Sequence, residues 1–474
     1  MSAPSDKLGL PALTALVVGS MVGAGIFSLP QNIARSAGPG AALIGWAISG
    51  LGMLMLAFVF QNLANRRPQL DTGIYAYAKA GFGDYIGFSS AWGYWVCSLL
   101  GNVSFFVLIF SGLGYVVPAF GDGNTWQAVA GASVLLWAMH AMVLRGIGQA
   151  ALINAVVTVA KIVPIVVFLL IAAIGFRLEV FSSRFWGDVS LGSVGTQVRG
   201  MMLITVWVFI GIEGASVYSR RARQRADVGR ATVIGFLCVL ALLMLVNLLS
   251  MGVVAQPQLA QLHNPSMAYV LEAIVGPWGA RLIIIGMVVS VLGALLAWVL
   301  LCAEVLHAAA GDGTMPAFLA RQNANDVPAN ALWLTNGLIQ GFLLVTLFSA
   351  STYTSLVLLG ASMALVPYLF SAAYGVQVAW RGDGEGASRV PRKRDLAVAI
   401  LATAYAVWLV YAGGVAQVLL SALLYAPGMA LFALAKRQHG QAVFTPVERA
   451  IAVAVLAGAM MAVWGLWQGW LRLH

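Results

Sequence analysis

The sequence predicts an all-α polytopic membrane protein with a five-plus-five inverted-repeat core, broken helices 1 and 6, and about 13 transmembrane helices. Three observations carry that expectation. The 474-residue chain is 61% hydrophobic and 9% charged, with a mean hydropathy of +0.90, whereas a soluble domain carries roughly 25% charge. Apolar runs of about 20 residues, each able to cross a hydrocarbon core of about 30 Å as a helix, recur along its length, and the alternating segments that mark a β-barrel are missing. Finally, the first and sixth runs carry glycine clusters where a spanning helix needs continuity.

In order, the spans are expected at 10–34, 41–62, 84–118, 126–145, 149–176, 197–218, 229–254, 279–310, 329–350, 353–379, 396–412, 416–436 and 447–470. The first run is followed by no small-residue cleavage site, so it reads as a retained helix rather than a signal peptide. Residues 1–379 form the ten-helix core, with repeat one at 8–176 and repeat two at 197–379. A solvated tract at 380–395, "RGDGEGASRVPRKRD" within its bounds, separates this core from three further helices at 396–474. Each repeat holds five spans, an odd number, so two in tandem have opposite orientations. Transporters built from inverted repeats have this form, and bind where the matching helices are discontinuous.

The net charge of +10 follows topology rather than nucleic-acid affinity. The N-terminal tail and alternate loops hold 19 of the 26 Lys and Arg residues; the opposite face holds six, and Lys161 lies within a span. This asymmetry puts the N-terminus in the cytoplasm, and "SRRARQRADVGR" beside anionic lipid. Cys97, Cys238 and Cys302 all fall within spans, with neither a disulfide framework nor metal-ligand spacing. A Walker loop and a nucleotide fingerprint are also missing. No cofactor, metal or nucleic-acid partner is expected; the bilayer is, and a homodimer is left open.

The breaks "GSMVGAGIF" and "WVFIGIEGASV" indicate chemistry. Unwound backbone in a membrane is tolerated only where it is buried in protein or lines a wet cavity. Amides around Gly23, Ala24, Gly25 and Ile26, at the positive end of a half-helix, suit a carboxylate. Carbonyls from Val18 to Met21 and from Trp207 through Ile210 to Gly211 suit an ammonium. Together they suit a free amino acid. On the third span Tyr94, Ser98, Asn102 and Phe105 recur at i, i+4, i+8 and i+11, one helical face that presents polar groups to a substrate side chain. Cys97 and, on the tenth span, Ser362 are placed with them.

"GSMVGAGIFSLP", "VWVFIGIEGASV", "WVLLCAEVLHAAAGDGTMP" and "ALVPYL" resemble the signature stretches of the amino acid, polyamine and organocation transporter superfamily. The likeness extends over residues 8–436 and is nearest to its basic amino acid antiporters, the arginine/ornithine exchangers among them. It implies sodium-independent exchange of a cationic amino acid for a related amine in a bacterial inner membrane. It also implies rocking of helices 1, 2, 6 and 7 against a scaffold of 3, 4, 8 and 9. By the same resemblance Trp207 packs on the substrate's aliphatic part, Trp298 stacks on its guanidinium, and Glu213 is a gate or proton-sensitive group. Ala24 stands where relatives have a serine, which removes one carboxylate contact.

Few ionisable residues lie in the spans. Glu213 sits inside a helix break, where a charge costs roughly 2.5 kcal/mol or more unless it is hydrated, paired or protonated. Some sodium-independent members of this fold place a fifth-helix lysine in a cation site; Lys161 in "TVAKIVP" fits, bonding first-helix carbonyls near Gly19 to Val22, with an ion pair to Glu304 as the alternative. Glu304, about 240° round the helix from Trp298, faces away from the substrate, as a cytoplasmic gate or a structural partner. His140, Asn154, Asn247, Asn336 and Gln340 are expected to make helix-to-helix hydrogen bonds. A proton-coupled symporter of the same fold remains the alternative function. An enzyme would need paired catalytic groups at one depth, and the sequence offers none.

Overall fold

The computed structural model describes residues 9–70, 74–146, 151–213, 223–348, 352–382 and 392–471; of residues 151–160, 225, 226, 352 and 392 only the backbone is described. Gly214, expected to flank the second break, lies outside these residues, as does most of the tract at 380–395; the side chain of Asn154 is likewise outside them. Among the described residues the regular structure is helical, with no strand.

Helix α1 (Leu10–Met21) and helix α2 (Gly25–Ala34) form one apolar span bent by 50° at Val22–Ala24. Next come α3 (Pro39–Arg66), the short α4 (Ile74–Phe82), α5 (Asp84–Gly114), α6 (Trp126–Leu144), α7 (Ala151–Gly175), α8 (Leu178–Ser183) and α9 (Val194–Phe209). The second half holds α10 (Arg225–Val253), α11 (Gln256–Leu259), α12 (Ser266–Val275), α13 (Pro277–Gly311), α14 (Ala329–Val345) and α15 (Thr352–Arg381). Then follow α16 (Arg392–Gln438) and α17 (Pro446–Gln468). Nine described helices are long and apolar enough to cross a membrane, or ten if the bent pair counts as one span. The 47 residues of α16 would reach roughly 70 Å, more than twice the hydrocarbon thickness, and they break at Gly414, whose φ of 73° is left-handed.

Helix α5 is buried along almost its whole length and packs on α13 and α15. Around this post, α1 lies on α10, α3 on α9 and α10, and α7 on α13. Polar side chains stitch neighbouring spans: Trp46 Nε1 donates to Asn247 Oδ1 (2.9 Å), Trp137 Nε1 to Gln340 Oε1 (3.1 Å), and Asn336 pairs with His140 (2.9 Å). Such bonds are worth about 0.6 kcal/mol on average in a membrane. The last helices are fastened at the end bearing most basic loops: Arg66 pairs with Asp395, Lys436 with Asp84, and the Tyr85 amide donates to Glu448 Oε1 (3.2 Å). Glu448 also completes the capping box that starts α17.

Candidate functional site

Both breaks follow from local rules. At the first, Ala24 precedes α2 without a side-chain cap, so the first-turn amides of Gly25 and Ile26 have no helical acceptor. At the second, α9 ends at Phe209 and the chain turns through Gly211, whose φ is +107°. A side chain there is doubly excluded, because an added Cβ would also lie 2.7 Å from Ser20 O. The two breaks touch: Ser20 Oγ donates to Gly211 O at 2.9 Å.

Between them is a cavity framed by Met21, Gly23, Ala24 and Gly25 from the first break, and by Cys97, Ser98 and Phe105 from α5. Trp207 and Ile210 close it at the second break, and Trp298 on α13 faces them. The Trp207 indole lies in a cradle of glycines. An added Cβ would stand 3.2 Å from its ring at Gly25, 3.2 Å at Gly101 and 2.8 Å at Gly360.

Helix α5, rising about 1.5 Å per residue, measures depth through this region. At its deeper end Tyr94 donates to Glu213 Oε1 (2.5 Å), Tyr368 on α15 donates to Oε2 (2.9 Å), and the Gly211 amide reaches both oxygens (3.2 and 3.3 Å). Glu213 is thus held by two tyrosine hydroxyls and one backbone amide. The cavity spans Cys97 to Phe105. At its shallower end Ser28 on α2 bonds the Tyr353 hydroxyl of α15 at 2.7 Å. Lys161 is buried and donates from Nζ to Gly19 O at 3.0 Å.

Several expected site residues lie elsewhere. Tyr94 shares the α5 face but is committed to Glu213 below the cavity, its ring 6.5 Å from that of Trp298. Asn102 turns towards α13, donating to Ser98 O (3.0 Å) and Cys302 Sγ (3.6 Å). Ser362 bonds Leu359 O and Ser421 on α16, both at 2.8 Å, on the side of the extra helices. Ile26 is buried outside the cavity lining, and the Gly211 amide is taken by Glu213. The expected open carbonyls are largely engaged. Val18 and Met21 accept from the amides of Val22 and Gly23, Trp207 from that of Ile210, Gly19 from Lys161 and Gly211 from Ser20. Glu304 is exposed on α13, and the described bond of Lys161 goes to Gly19 rather than to it. Sequence reasoning missed Ser20, Ser28, Gly101, Tyr353, Gly360 and Tyr368. The signal for Gly101 and Gly360 was glycine inside continuous helices, which costs roughly 1 kcal/mol against Ala and points to a close approach.

A polytopic helical bundle with a cavity at a broken span is the architecture of a membrane permease. The amino acid permease family model matches residues 8–462, and the chain belongs to that family. It is 61% identical over 477 residues to the arginine/ornithine antiporter of Pseudomonas aeruginosa, covering 99% of each chain. It is 46% identical over 488 residues to the L-lysine transport protein of Corynebacterium glutamicum, covering 100% of this chain and 97% of the relative. Over 464 residues it is 40% identical to the arginine/agmatine antiporter of Chlamydia caviae, covering 95% of each. These relatives are named as transporters, not enzymes.

Proposed function

We propose that the chain is an antiporter that exchanges a cationic amino acid, arginine, for a related amine, ornithine, by alternating access and without sodium. The observation that carries this reading is the cavity itself, where two indoles, Trp207 and Trp298, face the uncapped start of α2 and no carboxylate lies in the described lining. Cation–π attraction, about 2 kcal/mol or more when desolvated, holds a guanidinium there and still lets it leave. The first-turn amides of α2 take the α-carboxylate and Trp207 packs on the aliphatic stem. Lys161, bonded to Gly19 O, supplies a fixed positive charge where a coupled cation would sit. Glu213 and its tyrosines form the deeper gate. The relatives' arginine, ornithine and lysine substrates support this substrate class.

The same reading divides the chain into the repeats at 8–176 and 197–379 plus three later spans. It counts α7, α9 and each arm of α16 as spans, which gives thirteen. It places the protein in a bacterial inner membrane with the N-terminus and the basic loops in the cytoplasm, and leaves a homodimer open.

A second reading, proton-coupled symport, has one observation in its favour, the buried Glu213 carboxylate held in a break. For the antiporter, labelled arginine entering ornithine-loaded liposomes is expected to be competed by external ornithine and lysine, and not by leucine, with equal rates in sodium-free and sodium buffers. Competition by leucine, or a requirement for sodium, would refute the proposal.

A further inference from the structure

Above the inner cavity, on the face opposite most basic loops, lies a second cavity. Its floor is Tyr353, the residue whose hydroxyl also bonds Ser28. On α5 its lining begins at Val107, two residues beyond Phe105, so it sits a few ångströms outward of the first.

Its polar groups are arranged by sign. Arg35, just past α2, is held to one wall, its Nε donating to Ala260 O (3.1 Å) and its Nη1 to Thr354 Oγ1 (3.2 Å). Asp122 is held by His263, Oδ1 to Nδ1 at 2.8 Å, and the Coulombic influence of its carboxylate reaches Arg35. Gln31 lines the same cavity and is 2% exposed. Its Nε2 donates to Leu262 O, and because a carbonyl can only accept, this fixes the amide's orientation. Its buried Oε1 has no hydrogen-bond partner, and neither has Oδ1 of Asn264 beside it. A buried acceptor left unpaired is costly, and a small turn of either side chain towards the cavity would pair it with a ligand rich in N–H donors. Asp122 calls for the same ligand to be cationic, and Arg35 for it to carry a carboxylate as well.

We propose that this outer cavity is a second binding site, which takes a cationic α-amino acid with its carboxylate on Arg35 and its side-chain cation on Asp122, Gln31 and Asn264. Substrate waits there above the Tyr353 floor before entering the inner cavity. The assignment rests on the cationic-substrate reading above.

Two measurements test it. Equilibrium binding of labelled arginine to the purified full-length protein is expected to give two sites per chain, one of which weakens about three- to fivefold in Asp122→Asn while the other is unchanged. In proteoliposomes of defined orientation, Asp122→Asn is expected to raise the KM for arginine added on this face about three- to fivefold, the scale of an exposed charge pair. The KM on the opposite face stays as in wild type, and Asp122→Glu restores the first value. One site per chain in the wild type, or a rise in KM of equal size on both faces, would overturn the second site. Arginine that neither binds nor exchanges in any variant would instead overturn the reading beneath it.

Discussion

The two ends of the inner cavity are closed by different chemistry. At the shallow end the contact is between neutral groups, the Ser28 and Tyr353 hydroxyls. At the deep end two tyrosines and a backbone amide converge on the carboxylate of Glu213. A hydrogen bond between neutral groups contributes about 0.5–1.5 kcal/mol, and one to a charged group about 1.5–3 kcal/mol. The deep closure is therefore the firmer one, and the one whose strength a change of charge can alter. In the proposed exchanger the firmer deep closure is the barrier that an empty carrier crosses slowly.

Substitutions can break or sharpen this contrast. The largest effect is expected of Glu213→Gln, which removes the charge from three donors: exchange turnover changes about 30- to 100-fold, or about 2–3 kcal/mol, while arginine Kd moves less than about twofold. A large loss of affinity with normal turnover would put Glu213 in the substrate site instead. Next is Trp298→Leu, where the lost cation–π attraction weakens arginine binding about 10- to 30-fold; unchanged affinity by calorimetry would remove that role. Lys161→Met leaves the Gly19 carbonyl without its donor and is expected to reduce binding about tenfold. Wild-type rates that depend on sodium would contradict the cation-substitute role. Gly360→Ala pushes a methyl to 2.8 Å from Trp207 and is expected to cost about fivefold in affinity, against no effect for Gly341→Ala, where a Cβ meets nothing within 4 Å. The smallest change is expected of Tyr353→Phe, about threefold in turnover. A value matching Glu213→Gln would abolish the asymmetry.

Much of this was legible in sequence because membrane physics restricts it. Glycine clusters at corresponding positions in the first and sixth runs marked the breaks, and Trp207, Trp298, Glu213 and Lys161 stood out against an apolar background. Facing was harder to read. Tyr94, Ser98, Asn102 and Phe105 share a stripe, yet at about 100° per residue Asn102 is turned about 80° from Tyr94. That rotation is enough to aim it at Cys302 on α13. The stripe also carries no depth, so Tyr94, about 16 Å from Phe105 along the axis, bonds Glu213 and does not line the cavity. Partners contributed by α15, such as Tyr353, Gly360 and Tyr368, depend on tertiary packing, which periodicity within one helix does not encode.

The most direct test uses liposomes containing the purified protein, preloaded with ornithine or with nothing, and follows entry of labelled arginine in sodium-free buffer. Rapid entry into ornithine-loaded vesicles with almost none into empty ones is the expected result. Equal entry into both, rising with an inward proton gradient, would contradict exchange and make Glu213 the carrier of a coupled proton.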